Sequence, residues 1–427
     1  IMTQLSQDCF VHGGELMRLE EGLDLIKSRL EATCAVEPVA AVDARGRILA
    51  HDVTANGSVP PHANSAVDGY AVYHSDLNPN GETELEVQGR VAAGHPFVGQ
   101  AKRQRAFRVF TGAMIPEGEV DGGPDTVIMQ EDCRSSADGV WIPSGIPKGA
   151  NLRPLGEDVL AGAVVLKAGR KITSIDQALI TSVGVGEVSV YARLKVALFS
   201  TGDEVCEPGT SLAPGQIYDS NRIVLKGFLK ALGCVVTDLG ILPDRLDKCR
   251  GAIAQAAQAH DVLISSGGVS VGEEDHIRAA IEEIGRIDFW RLAIKPGRPL
   301  ALATIDISDR VVPYLGLPGN PAAVIVTFLQ FGRELIMRLA GGKGPPPKLY
   351  PVVAGFSYQK KPNRREYLRC ILNMEAGGQL VARQAGKQGA GILSAISSAD
   401  GLVELPEEME YLVEGTVVQF LPFGECG

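Results

Sequence analysis

Residues 195–200 read KVALFS, an apolar strand, and residues 219–233 read DSNRIVLKGFLKALG, a helical pattern that Asp219, Ser220 or Asn221 can cap and Gly233 stops. The alternation continues: CVVTDLG (234–240) reads as a strand, residues from about 244 to 260 as a helix, DVLISSG (261–267) as a strand, and residues from about 275 as a helix. FWRLAI, LALATI and VVPYLGL then read as strands, and a helix over 321–339 closes the series. Such a β-α-β-α order predicts a doubly wound, mostly parallel sheet with helices on both faces, so the fold class is multidomain α/β.

The regions on either side follow other rules. Residues 348–427 alternate at period two and predict a small antiparallel β barrel, entered through the linker GGKGPPPK at 341–348. Towards the N-terminus, a helix over about 16–33 gives way to short strands and turns up to about 153. A strand, a helix at TSIDQALITSVG (173–184) and another strand follow. The expected organisation is a discontinuous unit of 1–53 and 156–192, a β-rich insertion over 54–155, the α/β domain over 193–342 and the barrel over 346–427.

Bulk composition narrows the function. The 427 residues are 45% hydrophobic and 22% charged, as in ordinary globular proteins. The net charge of -10 argues against a general nucleic-acid or anionic-membrane binder, which relies on Lys and Arg to neutralise phosphates. The 8 cysteines are scattered without C-x-x-C spacing, so zinc-site and disulfide-framework readings both fail. No apolar run approaches a membrane span and the first residues have no signal core, so the expected location is the reducing cytoplasm.

In an open parallel sheet, ligands bind beyond the carboxyl ends of the strands. Four polar segments fall there: STGDE (200–204), SSGGVSVGEED (265–275), KPGRP (295–299) and LPGNP (317–321). Within the second, GVSVG fits the G-x-S-x-G elbow of a hydrolase with Ser270 as nucleophile. The histidines reject that reading: His12, His51, His62, His74, His95 and His260 precede Ser270, and only His276 follows, at the start of the same helix. An anion cradle suits the loop better, with Gly267, Gly268 and Gly272 opening backbone N–H groups to a phosphate and Ser265, Ser266 and Ser270 adding hydroxyls. Asp275 reads as an N-cap by itself, but Glu204 at a neighbouring strand end makes a carboxylate pair suited to Mg²⁺ shared with phosphate. Lys295 and Arg298 supply cations, and LPGNP makes a rigid turn. SVGVG (182–186) follows a helix and is dismissed as a dinucleotide site, and there is no Walker A sequence.

Nine segments in order resemble the molybdopterin molybdenumtransferase family, the MoeA proteins and the E domain of gephyrin. They are PPHANSAVDGYAV (60–72), TGAMIP (111–116), TVIMQED (126–132), RPLGEDV (153–159), STGDEV (200–205), GQIYDSN (215–221), SSGGVSVGEEDH (265–276), KPGRP (295–299) and GLPGNPAAV (316–324). The resemblance implies an elongated homodimer whose active site lies between the α/β domain of one subunit and the inserted domain of the other. It also implies the reaction: adenylylated molybdopterin and molybdate give molybdenum cofactor and AMP, with Mg²⁺. By motif, Asp68, Thr111, Asp158, Glu204 and Asp275 would be catalytic, with Glu204 and Asp275 holding the metal. Ser65, Asn221, Asp244, Ser266, Gly267, Gly268, Ser270, Lys295, Arg298, Pro318 and Pro321 would bind substrate. Transient contact with enzymes that supply or accept the cofactor is also implied.

The chain departs from the family pattern in a longer EGEVDGGPDT stretch (117–126), in His62 and Ala63 before Asn64, and in Arg298 where Lys is frequent. These departures bear on selectivity. The alternatives are a molybdopterin adenylyltransferase, which would need only 193–340, a tungstate-handling paralogue, and a scaffold.

Overall fold

In the strand Lys195–Thr201 every residue after the first is buried, which is why it reads as a continuous apolar run: both faces are covered. The computed structural model describes residues 16–119, 122–137, 139–268, 276–308 and 310–425. In it this strand belongs to a six-stranded sheet ordered Val235–Leu242, Lys195–Thr201, Val262–Ser266, Arg310–Leu317, Pro299–Ile307, Gly285–Arg291. Alternate side chains separate two cores. Val196 and Leu198 pack with Leu225 and Leu229 of the Asn221–Leu232 helix and with the closing helix. Ala197 and Phe199 pack with Ile253 of the Leu246–Ala259 helix and Ile281 of the His276–Ile284 helix.

The first four strands in that order are parallel, but Pro299–Ile307 runs antiparallel to both its neighbours. The chain joining it to the Arg310–Leu317 strand is of hairpin length, and a parallel pairing needs a crossover of a dozen residues or more. The closing helix also differs from the uninterrupted one expected. It runs Pro321–Thr327, passes through a π turn at Phe328–Gly332, and resumes as Arg333–Leu339. Phe328 stacks on Phe228 at 5.5 Å and rests against Gly332, where a Cβ would come within 2.9 Å of its ring.

The opening helix is shorter than expected, Leu19–Arg29, and its Leu19 and Ile26 join the main core of the α/β domain. Strand Val36–Ala40 pairs with Glu187–Tyr191, and Val53–Thr54 with Val164–Leu166, so chain from both sides of the insertion shares one core around Leu49, Ile172 and Ile180. Between them lies a second six-stranded sheet, ordered Thr126–Met129, Gly69–Val72, Arg105–Val109, Thr83–Val91, Gly139–Ile142, Arg134–Ser135.

The C-terminal strands close into a barrel because Arg365–Met374 pairs with both Leu380–Gln384 and Gly401–Leu405. It is not wholly antiparallel, since Tyr350–Ala354 runs parallel to Leu380–Gln384. Ile294–Lys295, from the α/β domain, adds to the barrel sheet beside Arg365–Glu366. Among the described residues no helix is long and apolar enough to cross a membrane.

Candidate functional site

The polar strand-end loops form a continuous rim. Ser200 and Ser266 are register partners at the ends of adjacent parallel strands, which sets STGDE beside SSGG. Gly267 and Gly268 have φ of +88° and +65°, a region that excludes most side chains, and a Cβ on Gly267 would lie 2.8 Å from the Thr201 carbonyl oxygen. Gly267 N–H donates to the Leu317 carbonyl at 3.0 Å, tying SSGG to LPGNP. Asn221, the first residue of its helix, clamps the same two loops: its Nδ2 donates to Ser266 Oγ at 2.8 Å and to the Gly319 carbonyl at 2.6 Å. KPGRP joins through Thr327, whose hydroxyl donates to the Gly297 carbonyl at 3.2 Å.

Two buried polar atoms on this rim have no hydrogen-bond partner, Asn221 Oδ1 and Ser200 Oγ. Such orphans are uncommon in native interiors and mark places where a ligand or water completes the bonding. Glu204 is exposed and its carboxylate folds back over Gly202, with Oε2 2.5 Å from where a Gly202 Cβ would sit. Pro318 is buried beneath the rim and Pro321 starts the closing helix. Asp244 stands half-buried beyond the Val235–Leu242 strand, just before the Leu246–Ala259 helix. Ser270 and Asp275 lie outside the described residues.

The cations of KPGRP divide. Arg298 is exposed. Lys295 is not a free cation: Nζ donates to Glu366 Oε2 at 2.9 Å and to the Tyr358 hydroxyl at 3.3 Å. Burial alone would lower the Lys295 pKa, but Glu366 and Tyr358 outweigh it and hold the ammonium above its ordinary value. Glu366 is 1% exposed and 71 residues away in sequence, in a strand whose pattern signals only barrel, so this pairing could not be read from the sequence.

Asp68 and Thr111 come together in the insertion. Asp68 Oδ1 accepts from the Thr111 backbone N–H and from the Thr111 hydroxyl, both at 2.8 Å, and these bonds hold its carboxyl below the usual range. Ser65, assigned to substrate, is fully buried and its hydroxyl donates to the Val67 carbonyl at 2.5 Å. Its backbone also exchanges hydrogen bonds with Gly112 and Ala113, so Ser65 fixes the turn that carries Asp68. Asp158 is exposed, with its N–H bonded to the Val59 carbonyl at 2.9 Å. The long 117–126 stretch folds back onto Ala101 through Glu117 and Glu119.

Beside Asp68 runs a row of guanidinium and aromatic groups that the sequence reading missed. Tyr70, Arg108 and Arg90 are aligned across three neighbouring strands. Arg108 stacks on Tyr70 at 5.1 Å and on Phe110 at 4.8 Å, while Arg90 covers Phe110 at 4.4 Å. Arg108 also donates to Gln130 and to the Gly69 carbonyl. Period-two alternation in 105–110 was the one available signal, since it sets Arg108 and Phe110 on one face.

Within one chain, no hydrogen bond or ion pair among the described residues joins Asp68 or Thr111 to Glu204. Nor is there, among those residues, a cluster of three or more His, Cys, Asp and Glu side chains able to hold a metal ion. Of the two carboxylates expected to hold Mg²⁺, Glu204 is the one among the described residues; Mg²⁺ takes one or two carboxylates from protein and keeps water and substrate phosphate as its other ligands.

Comparison with known proteins covers nearly the whole chain. Residues 17–184 match the model of the MoeA N-terminal region (domain I and II), 197–338 that of a probable molybdopterin binding domain, and 351–423 that of the MoeA C-terminal region (domain IV). A molybdopterin molybdenumtransferase of Haemophilus influenzae is 38% identical, over 96% of this chain and 99% of its own length. One from a Nostoc species is 34% identical, over 88% of this chain and 86% of its own. The crystal structure of a molybdopterin biosynthesis MoeA protein from Pyrococcus horikoshii superposes with a TM-score of 0.75 at 30% identity, over 96% of this chain and 99% of that one.

Proposed function

The chain belongs to the molybdopterin molybdenumtransferase family, and from that premise we infer that it makes molybdenum cofactor and AMP from adenylylated molybdopterin and molybdate. The observation that carries this reading is the strand-end rim, where Asn221 binds two Gly-rich loops together and leaves its own Oδ1, with Ser200 Oγ, unsatisfied. A polar, phosphate-bearing ligand fills those positions. The backbone N–H of Gly268 meets its phosphate, that of Gly267 being bonded to the Leu317 carbonyl, and the hydroxyls of Ser200 and Ser266 hold its polar edge.

Glu204 and Asp275 would hold Mg²⁺, which when bound neutralises charge at the departing AMP. The protein's own part is to orient the anhydride, exclude competing water and receive the oxyanion. Asp68 stays ionised on its Thr111 clasp and suits proton handling, whereas Arg108 and Arg90 suit contact with an anion. A homodimer sets the inserted domain of one protomer against the rim of its partner, uniting Asp68 and Thr111 with Glu204. An adenylyltransferase would need only the α/β domain, so its turnover would survive substitution of Asp68. The deciding experiment incubates purified protein with adenylylated molybdopterin, Mg²⁺ and molybdate, and measures AMP release and active cofactor together. Chelator stops both if the reading is right; AMP release that continues in chelator removes Glu204 and Asp275 from the metal role.

A further inference from the structure

A cavity of about 590 Å³ opens where the N-terminal unit, the α/β domain and the linker to the barrel meet, and none of its lining residues belongs to the strand-end rim. Lys167, Arg170, Lys171, Arg333 and Lys343 line it against a single carboxylate, Glu334. That carboxylate is already engaged, accepting from Arg338 at 2.7 Å. Two of the cations also have partners elsewhere, Lys167 with Asp52 and Arg170 with Asp176, each at 2.8 Å.

The other three have no carboxylate partner among the described residues. Lys171 donates only to the Ala231 carbonyl, at 2.8 Å. Arg333 Nε is buried with no acceptor. Lys343 makes no ion pair among the described residues, and its backbone N–H, bonded to the Gly169 carbonyl at 2.9 Å, fixes its place at the wall. Burial, reinforced by Arg333 and Arg193, lowers the Lys171 pKa, as expected of a lysine among like charges with no counter-ion. In a chain of net charge -10, gathering these groups around a concavity is unfavourable unless an anion completes it.

We propose that this cavity is a second binding site, for a small phosphate-bearing anion up to the size of a nucleotide, held by Lys171, Arg333 and Lys343. The volume is in the range of small-molecule sites, and a guanidinium with a free Nε–H beside two ammonium groups suits a phosphate with several oxygens. Because Lys343 lies in the linker and Lys171 in the N-terminal unit, a bound anion fastens the linker to that unit. The proposal does not depend on the reading of the strand-end rim.

Calorimetric titration of the full chain tests it, with inorganic pyrophosphate, AMP and molybdate as separate probes. Saturable binding of pyrophosphate or AMP is expected, weakened about tenfold or more in Lys343→Gln and in Arg333→Gln. Preference for AMP over pyrophosphate identifies a nucleotide as the occupant, and the reverse identifies the free anion. Lys343 is exposed, so its variant carries the test if Arg333→Gln fails to fold. Binding of neither phosphate compound, binding of molybdate alone, or affinity unchanged in Lys343→Gln overturns the proposal.

Discussion

The strand-end rim and the Asp68–Thr111 turn hold their polar groups in opposite states. On the rim, Asn221 Oδ1 and Ser200 Oγ are buried and unsatisfied, and the nearby ammonium of Lys295 is committed to Glu366. At the turn, Asp68 has both Thr111 donors, and Arg108 and Arg90 both lie over the Phe110 ring. A region with unmet hydrogen bonds gains them from whatever enters it, so it supplies binding energy. A region whose charges are already fixed is suited to orientation, because little reorganisation is needed on binding.

That contrast orders the consequences of substitution. Glu204→Gln should have the largest effect, lowering cofactor formation by on the order of 100-fold or more with thermal stability unchanged, since the side chain is exposed. Retained activity in a Mg²⁺ titration of this variant would show the rim carboxylate to be dispensable. Asp68→Asn should cost about 10- to 100-fold in kcat with little change in KM. In the proposed dimer, whose site is shared between protomers, mixing Asp68→Asn with Glu204→Gln protomers should restore activity to about a quarter of wild type, since half the dimers would be mixed and each would keep one of two sites. No recovery on mixing would place the two residues in separate sites.

Asn221→Ala removes donors to Ser266 and Gly319 and should destabilise the chain by about 1–3 kcal/mol, read by thermal unfolding, while weakening substrate binding. Lys295→Met leaves the buried Glu366 carboxylate with Arg364, 3.6 Å away, as its one remaining cation among the described residues. A cost of about 1–2 kcal/mol is expected, small for a buried acid because Lys295 is itself half-exposed.

Thr111→Val should have the smallest effect and bears on pH alone. The folded pKa of Asp68 is lowered, so the clasp is present above the ordinary carboxylate range and is lost as pH falls through the lowered value. Loss of the hydroxyl moves the acid limb of kcat/KM upward; an unmoved limb would separate Asp68 from that ionisation.

Much of this could be read from the residues in order. Runs such as KVALFS and VLISS announce strands covered on both faces, and the Gly-rich turns after them mark where those strands end, because both signals are local. What escaped is set by distant partners. Nothing near Lys295 tells of Glu366, and nothing near Arg108 tells of Arg90 on the next strand. Ser65, assigned to substrate by its place in the family motif, lies buried with its hydroxyl on the Val67 carbonyl, a backbone closure that no local signal announces. The π turn escaped because Phe328–Gly332 keeps an unbroken apolar helical pattern and differs only in how Phe328 packs.

The short Ile294–Lys295 strand has a mechanical consequence. Because it extends the barrel sheet, and Arg365 N–H bonds the Ala293 carbonyl at 2.8 Å, the barrel is held by more than the proline-rich tether at 345–347. Tyr367, Leu402 and Leu421 also share a core with Leu292 and Ile294. A protease that cut the tether would therefore release no free barrel; the two fragments would travel together through a sizing column until denatured.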